Sequence, residues 1–253
     1  MASREKTQAL PPALSTARVI PRDHDLDAIL SSTSFAELQG ALARTDLSRE
    51  AALLERLLYK NKQQHRASQH YRRLLEVRRH LRLLRDLQLP GLLADLAALA
   101  LPPPAAAEQS RAPAGEAGAL ALRRLAAAGR LLAELCTAAR RAAGALSGQL
   151  AHSFFMPLCL TGLAVLARVQ ALAAQLALDA ARTYNALAAV VAVLPFDAHP
   201  AAALDGLPQL VRCDWSGALP RLAAVPDLAP GDSLAARAAA RAVARAASRS
   251  DSR

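Results

Sequence analysis

Residues 49–87 read REAALLERLLYKNKQQHRASQHYRRLLEVRRHLRLLRDL, an unbroken stretch with neither proline nor glycine. Good helix formers dominate it, and proline and glycine are the residues that most disfavour a helix interior. Leu53, Leu54, Leu57 and Leu58 near its start, and Leu74, Val77, Leu81 and Leu84 near its end, recur at the three- and four-residue spacing of an apolar helix face. The stretch therefore predicts one long helix, capped at its start by Ser48 and stopped by Pro90. It is strongly basic. Eleven Arg or Lys against three Glu between Arg49 and Arg85 supply +8 of the chain's net +10. A basic face of this density attracts phosphate backbones or anionic membrane surfaces, unless it is simply a solvated helix face.

On either side the chain again reads as helix. Ser34 with Glu37 matches a capping box for a short helix over Phe35–Arg44, and Gly91–Leu101 follows Pro90 as another. Residues 102–118, PPPAAAEQSRAPAGEAG, have the composition of a linker. Helical periodicity resumes at Ala119–Leu146 and again from Phe154 to Leu194, with a bend expected near Pro157. Prolines and the Asp205-Gly206 and Ser216-Gly217 turn signals then predict short helices and loops. An Ala/Arg-rich helix is expected over Ser233–Ala247. Across the 253 residues 53% are hydrophobic, chiefly Ala and Leu, while aromatics make up 3%. Strand-favouring residues are scarce. The expectation is an all-α, elongated helical bundle with two long helices. It divides into a flexible arm (1–32), a first helical segment with the long basic helix (33–101), the linker (102–118), a second helical segment with an apolar helix (119–195), and an irregular region with a basic tail (196–253).

The basic stretch is interrupted at Lys60-Asn-Lys-Gln-Gln-His-Arg66. On the stripe that continues Leu54, Leu57 and Leu58, the next positions are Asn61, His65 and Ser68. Polar groups on an inward face need partners. Either they bond one another and a neighbouring helix, or they meet an external polar ligand. Asn, Gln, His and Arg are the side chains that contact bases, sugars and phosphates in RNA. Tyr71 stands one turn on as a candidate stacking ring. The candidate RNA-binding residues are Lys60, Asn61, Lys62, Gln64, His65, Arg66, Tyr71, Arg72, Arg73, Arg78, Arg79 and Arg82.

The run Leu57-Leu-Tyr-Lys-Asn-Lys-Gln-Gln-His-Arg-Ala-Ser-Gln-His-Tyr71 resembles the signature of the RNase MRP protein subunit family, which is related to the N-terminal domain of the nucleolus and neural progenitor protein. Asn61, Lys62, Gln64, His65, Arg66 and Tyr71 match its pattern, whereas His70 stands where fungal members tend to have Trp. Phe155, Leu158, Leu166-Ala-Arg-Val169 and Ala171-Leu172 resemble the family's later apolar helix, so that the resemblance spans about Ala51–Leu194. It implies a helical, non-catalytic protein in the nucleus and nucleolus. Such a protein holds the RNase MRP RNA and other subunits of the RNase MRP/RNase P complex during precursor rRNA processing. The absence of a long basic C-terminal extension favours the RNase MRP branch over the animal nucleolar protein.

Other classes find less support. Neither a Gly-rich phosphate loop nor Gly-x-Ser-x-Gly is present, and the six histidines form no evident metal triad. No cofactor and no small-molecule substrate are expected. His24 between Asp23 and Asp25 reads as a surface residue. Cys136, Cys159 and Cys213 have neither zinc-like nor disulfide-framework spacing, which fits a reducing compartment, and Cys136 and Cys159 are expected on apolar faces. No apolar signal-peptide core opens the chain. Ala142–Ala167 carries no formal charge and is long enough to span a bilayer, but Ser147, Gln149, His152, Ser153 and Pro157 favour a buried helix. A helical protein-interaction scaffold is the main alternative to RNA binding, and a membrane-associated protein the lesser one.

Overall fold

The computed structural model describes residues 35–100, 114–192, 194, 196, 200–216 and 219–224. Their helices are α1 (Phe35–Arg44), α2 (Ser48–His65), α3 (Gln69–Asp86), α4 (Leu89–Ala100), α5 (Ala114–Ala151), α6 (Met156–Val191) and a single turn, α7 (Pro200–Ala203). The fold is all-α, as composition predicts; its longest helices are α5 and α6, and of the two long helices expected, the basic and the apolar, only the apolar one is among them, as α6. The expected arm, the greater part of the linker, and the Ser233–Ala247 helix lie outside the described residues. α5 begins at Ala114, inside the stretch with linker composition.

The expectation of one long basic helix is overturned. The stretch folds into an antiparallel hairpin, with α2 and α3 meeting at Arg66-Ala-Ser68. No proline or glycine forces this turn; tertiary burial does. Leu54 and Leu58 on α2, and Leu74, Val77, Leu81 and Leu84 on α3, are all buried in the common core. A straight rod would leave one of those sets exposed, at about 1.5–3 kcal/mol for each large side chain. Cross-links follow the fold-back. The Tyr71 hydroxyl donates to the Leu58 carbonyl at 3.1 Å, and Arg82 grips Glu55 with Nε at 3.0 Å and Nη2 at 2.6 Å. Ser48 opens α2 but does not cap it. The Asp46 carboxylate accepts both its N–H (2.8 Å) and its Oγ–H (2.6 Å), and these bonds hold the Asp46 carboxyl below the usual range.

α5 and α6 form the axis of the bundle. They run antiparallel, with Gly118 against Val191 at one end and Gly162 against Leu146 at the other. α3 and α4 pack on α5, α1 packs on α4, and α2 lies antiparallel along the first half of α6. There Gly162 faces Leu57. The Arg168 Nε also donates to Glu50 Oε1 at 2.8 Å, although Glu50 is almost wholly buried. By length and composition α6 could cross a membrane. Here one face of it is core, and it carries Asp179, buried and bonded to Gln175. The uncharged run 142–167 is not one helix. The chain breaks between Ala151 and Met156, with Ser153 and Phe155 both at left-handed φ (58° and 51°), and Pro157 falls harmlessly in the first turn of α6.

After residue 196 the expectation is short helices and loops. The short helix is there as α7, followed by a turn and loop, but Val211–Ser216 (β1) and Leu219–Ala224 (β2) then pair antiparallel, with Cys213 opposite Leu222. The Asn185 side chain acts as an extra strand edge: its Nδ2 donates to the Val211 carbonyl and its Oδ1 accepts the Val211 N–H, both at 2.8 Å. The Tyr184 hydroxyl donates to the Pro208 carbonyl at 2.7 Å. Cys136, Cys159 and Cys213 are all buried and unbridged, and burial pushes the Cys136 thiol up to about 11.

Candidate nucleic-acid interface

The hairpin α2–α3 sorts the twelve predicted residues by face. The inward stripe is occupied internally. Asn61 is half-buried, and its Nδ2 donates to the Leu57 carbonyl at 2.8 Å. His65 and Tyr71 are 3% and 6% exposed. Tyr71 is therefore a core residue, and no open ring face for stacking exists there. Of the two readings of the polar stripe, the one in which its groups bond one another and a neighbouring helix describes Asn61, Ser68, His70 and Tyr71.

The tip has a definite proton arrangement. Ser68 donates twice to the His65 carbonyl, from its N–H (2.8 Å) and its Oγ–H (2.7 Å). With the hydroxyl proton committed there, Ser68 Oγ is left as an acceptor. His70 Nε2 lies 3.1 Å from that oxygen and 3.2 Å from His65 Nδ1. We assign the proton to His70 Nε2, shared between the two acceptors. His65 Nδ1 accepts, so the neutral His65 ring holds its own proton on Nε2. That atom is buried and has no hydrogen-bond partner. Burial lowers the pKa of both rings, and for His70 the positive charge that His65 would carry lowers it further.

The outward face is cationic. Among the described residues, Lys60, Lys62, Arg66, Arg72 and Arg79 are exposed and form no ion pair. The other predicted arginines are engaged. Arg73 pairs with Glu76 at 2.8 Å, and Glu55 takes both Arg78, at 3.6 Å, and Arg82, at 2.6 Å. Gln64 is exposed beside Lys60 on the flank toward α6. Two further residues of this face, Arg56 and Tyr59, are not singled out by sequence alone. Tyr59 is 84% exposed, and spacings of three and four place Arg56, Tyr59, Lys62 and Arg66 on one stripe. The signal is there in the sequence, because Tyr59 falls off the leucine stripe whereas Tyr71 falls on it.

A second surface adjoins the tip. Phe154, Phe155, Met156 and Leu160 are 60%, 43%, 48% and 53% exposed at the turn into α6. Phe155 stands perpendicular to His65, ring centroids 4.4 Å apart. Among the described residues there is no group of three or more His, Cys, Asp or Glu placed to hold a metal ion.

A family model described as nucleolus and neural progenitor protein, N-terminal, matches residues 6–188. No curated protein and no solved structure matches the chain. The family match takes in α1 to α5, most of α6 and the whole candidate interface, more than two thirds of the sequence. The chain belongs to the nucleolus and neural progenitor protein N-terminal family.

Proposed function

We propose that this protein is a non-catalytic, RNA-binding subunit of the ribonucleoprotein endoribonuclease RNase MRP. It would work in the nucleolus, where it supports precursor rRNA processing by holding the RNase MRP RNA against other protein subunits. The observation that carries the reading is the division of charge on the hairpin. Glu55 and Glu76 neutralise Arg73, Arg78 and Arg82, yet Lys60, Lys62, Arg66, Arg72, Arg79 and, beside the exposed Tyr59, Arg56 form no ion pair among the described residues. Cations left free on a rigid two-helix face are suited to phosphates, which position an RNA without reading its sequence. The family's nucleolar name and the resemblance of the Lys60–Tyr71 run agree with this.

The test is a salt titration of RNA binding. Replacing Lys60, Lys62, Arg66, Arg72 and Arg79 with glutamine should weaken binding and flatten the log–log salt slope by about 0.7–0.9 for each phosphate that is no longer neutralised. Arg82→Gln should do little, since that guanidinium is already held by Glu55. An unchanged slope in the fivefold variant would remove the mechanism.

The exposed Phe154–Met156 turn and Leu160 favour a second reading, a nucleolar protein-interaction scaffold, because large exposed apolar patches mark protein contacts. Partners that stay bound to the tagged protein after complete RNA digestion would support it. Quantitative release from membranes by alkaline carbonate would dispose of a bilayer role for α6.

A further inference from the structure

We infer that His65 and Phe155 form a subsite for one unpaired RNA nucleotide, the base lying on the Phe155 ring and a base acceptor atom taking the proton on His65 Nε2. The inference rests on the RNA-binding reading and names the part of the RNA that the hairpin tip would select.

The first observation is the orphan donor. His65 is 3% exposed, and its Nε2–H has no partner although every other polar group around it is satisfied. A buried donor left unmade destabilises the fold. A perpendicular aromatic ring offers it at most a weak N–H···π contact.

The second observation is the residue above it. Phe155 precedes α6 with φ at 51°, a left-handed conformation that non-glycine residues rarely adopt. The ring stands perpendicular to the imidazole, and 43% of the residue nonetheless faces solvent. The imidazole nitrogen is unmet, and Phe155, whose left-handed backbone helps turn the chain from α5 into α6, leaves its ring half-exposed. Both are put to use by a planar ligand with a hydrogen-bond acceptor at its edge.

The third observation is charge. His65 is the last residue of α2, so Arg66 follows it directly and Lys62 lies one turn before. Both are exposed and unpaired, on the outward face of the tip within one turn of His65, where they can take phosphates of a strand that reaches it. Stacking, an edge contact and flanking cations are how proteins take unpaired RNA, since a paired base hides its edge and both faces.

The experiment compares the full chain binding a short unstructured RNA and a duplex of equal length. It is joined to a nitrogen-15 NMR titration of the His65 imidazole. Phe155→Leu removes the ring but keeps an apolar side chain at a half-exposed position. It should weaken unstructured-RNA binding about tenfold while leaving duplex binding and the salt slope unchanged. In the wild type, unstructured RNA should shift the His65 Nε2–H resonance and duplex should not. His65→Phe, which keeps a ring and loses the donor, should bind unstructured RNA less well by a similar factor. A thermal melt reports whether that variant folds; if it does not, the NMR shift decides alone. Wild-type binding of unstructured RNA by Phe155→Leu, or a His65 resonance that RNA leaves in place, overturns the subsite while the cationic face stands. A resonance moved only by nuclease-treated protein partners gives the subsite to a protein and likewise overturns it. If the wild type binds neither RNA, the RNA reading fails, and the subsite with it.

Discussion

His65 Nδ1 and His70 Nε2 lie 3.2 Å apart, Ser68 Oγ is 3.1 Å from the same His70 nitrogen, and no carboxylate among the described residues is bonded to either ring. Burial lowers both pKa values; for His70 the positive charge that His65 would carry adds to the effect. The sign of the pH effect follows. As pH falls through the ordinary histidine value of about 6.5, the unfolded chain takes up protons that the folded tip refuses, and stability falls. Above that value this contribution is complete. The melting temperature is expected to hold steady above about pH 6.5 and to drop between there and about pH 5, before most carboxylates titrate. In the double variant His65→Gln, His70→Gln that drop should be largely gone. A wild-type profile with the same acid slope as the double variant would show that the pair does not couple to folding.

At the scale of elements, the hairpin is where sequence and structure part. The helical character of residues 49–87 is legible in the sequence, as are its boundaries near Ser48 and Leu87 and its buried leucines. The fold-back is not, because Arg66-Ala67-Ser68 carries no proline or glycine and the turn is dictated by burial of both leucine faces on α5 and α6. The same blindness affects the candidate interface. A single helix has one apolar stripe, so Asn61, His65 and Tyr71 look like a polar or aromatic face open to RNA. In a hairpin that stripe is the inside, and the open face is the one with Arg56, Tyr59 and Lys62. The β-hairpin after residue 210 is hidden for a related reason: its edge is completed by the Asn185 side chain, a tertiary partner far back in the chain. Spin labels at Arg49 and Arg85 test the fold-back. A continuous helix would separate them by about 54 Å at 1.5 Å per residue. The hairpin brings the two helix ends side by side, and a distance well under half of that is expected. A distribution centred near the longer value would mean that α2 and α3 are one rod.

For the molecule as a whole, the α5–α6 pair decides how an alanine-rich chain with few aromatics makes a core. Small side chains bury little area apiece, and the compensation is close approach of two long helices along their full length, with Ala, Leu and Val interleaved. Glycine has two distinct roles on these helices, one in the seam and one on the exposed surface. A Cβ placed on Gly118 would stand 2.5 Å from Val191 Cγ2 and 3.4 Å from its Cγ1, whereas one on Gly144 would meet nothing within 4 Å. Val191 is β-branched and fully buried, so it cannot rotate away. Overpacking typically costs about 1–3 kcal/mol, against up to about 1 kcal/mol gained when alanine replaces glycine in a helix. Gly118→Ala is therefore expected to lower the urea midpoint, and Gly144→Ala to raise it. Gly162→Ala should fall between them, since its clash, at 2.7 Å, is with the terminal methyl of Leu146, which can turn at its χ angles but has no free space to enter. Equal shifts of one sign for Gly118→Ala and Gly144→Ala would mean that the first turns of α5 do not lie against the end of α6, and the antiparallel axis on which the hairpin is mounted would have to be redrawn.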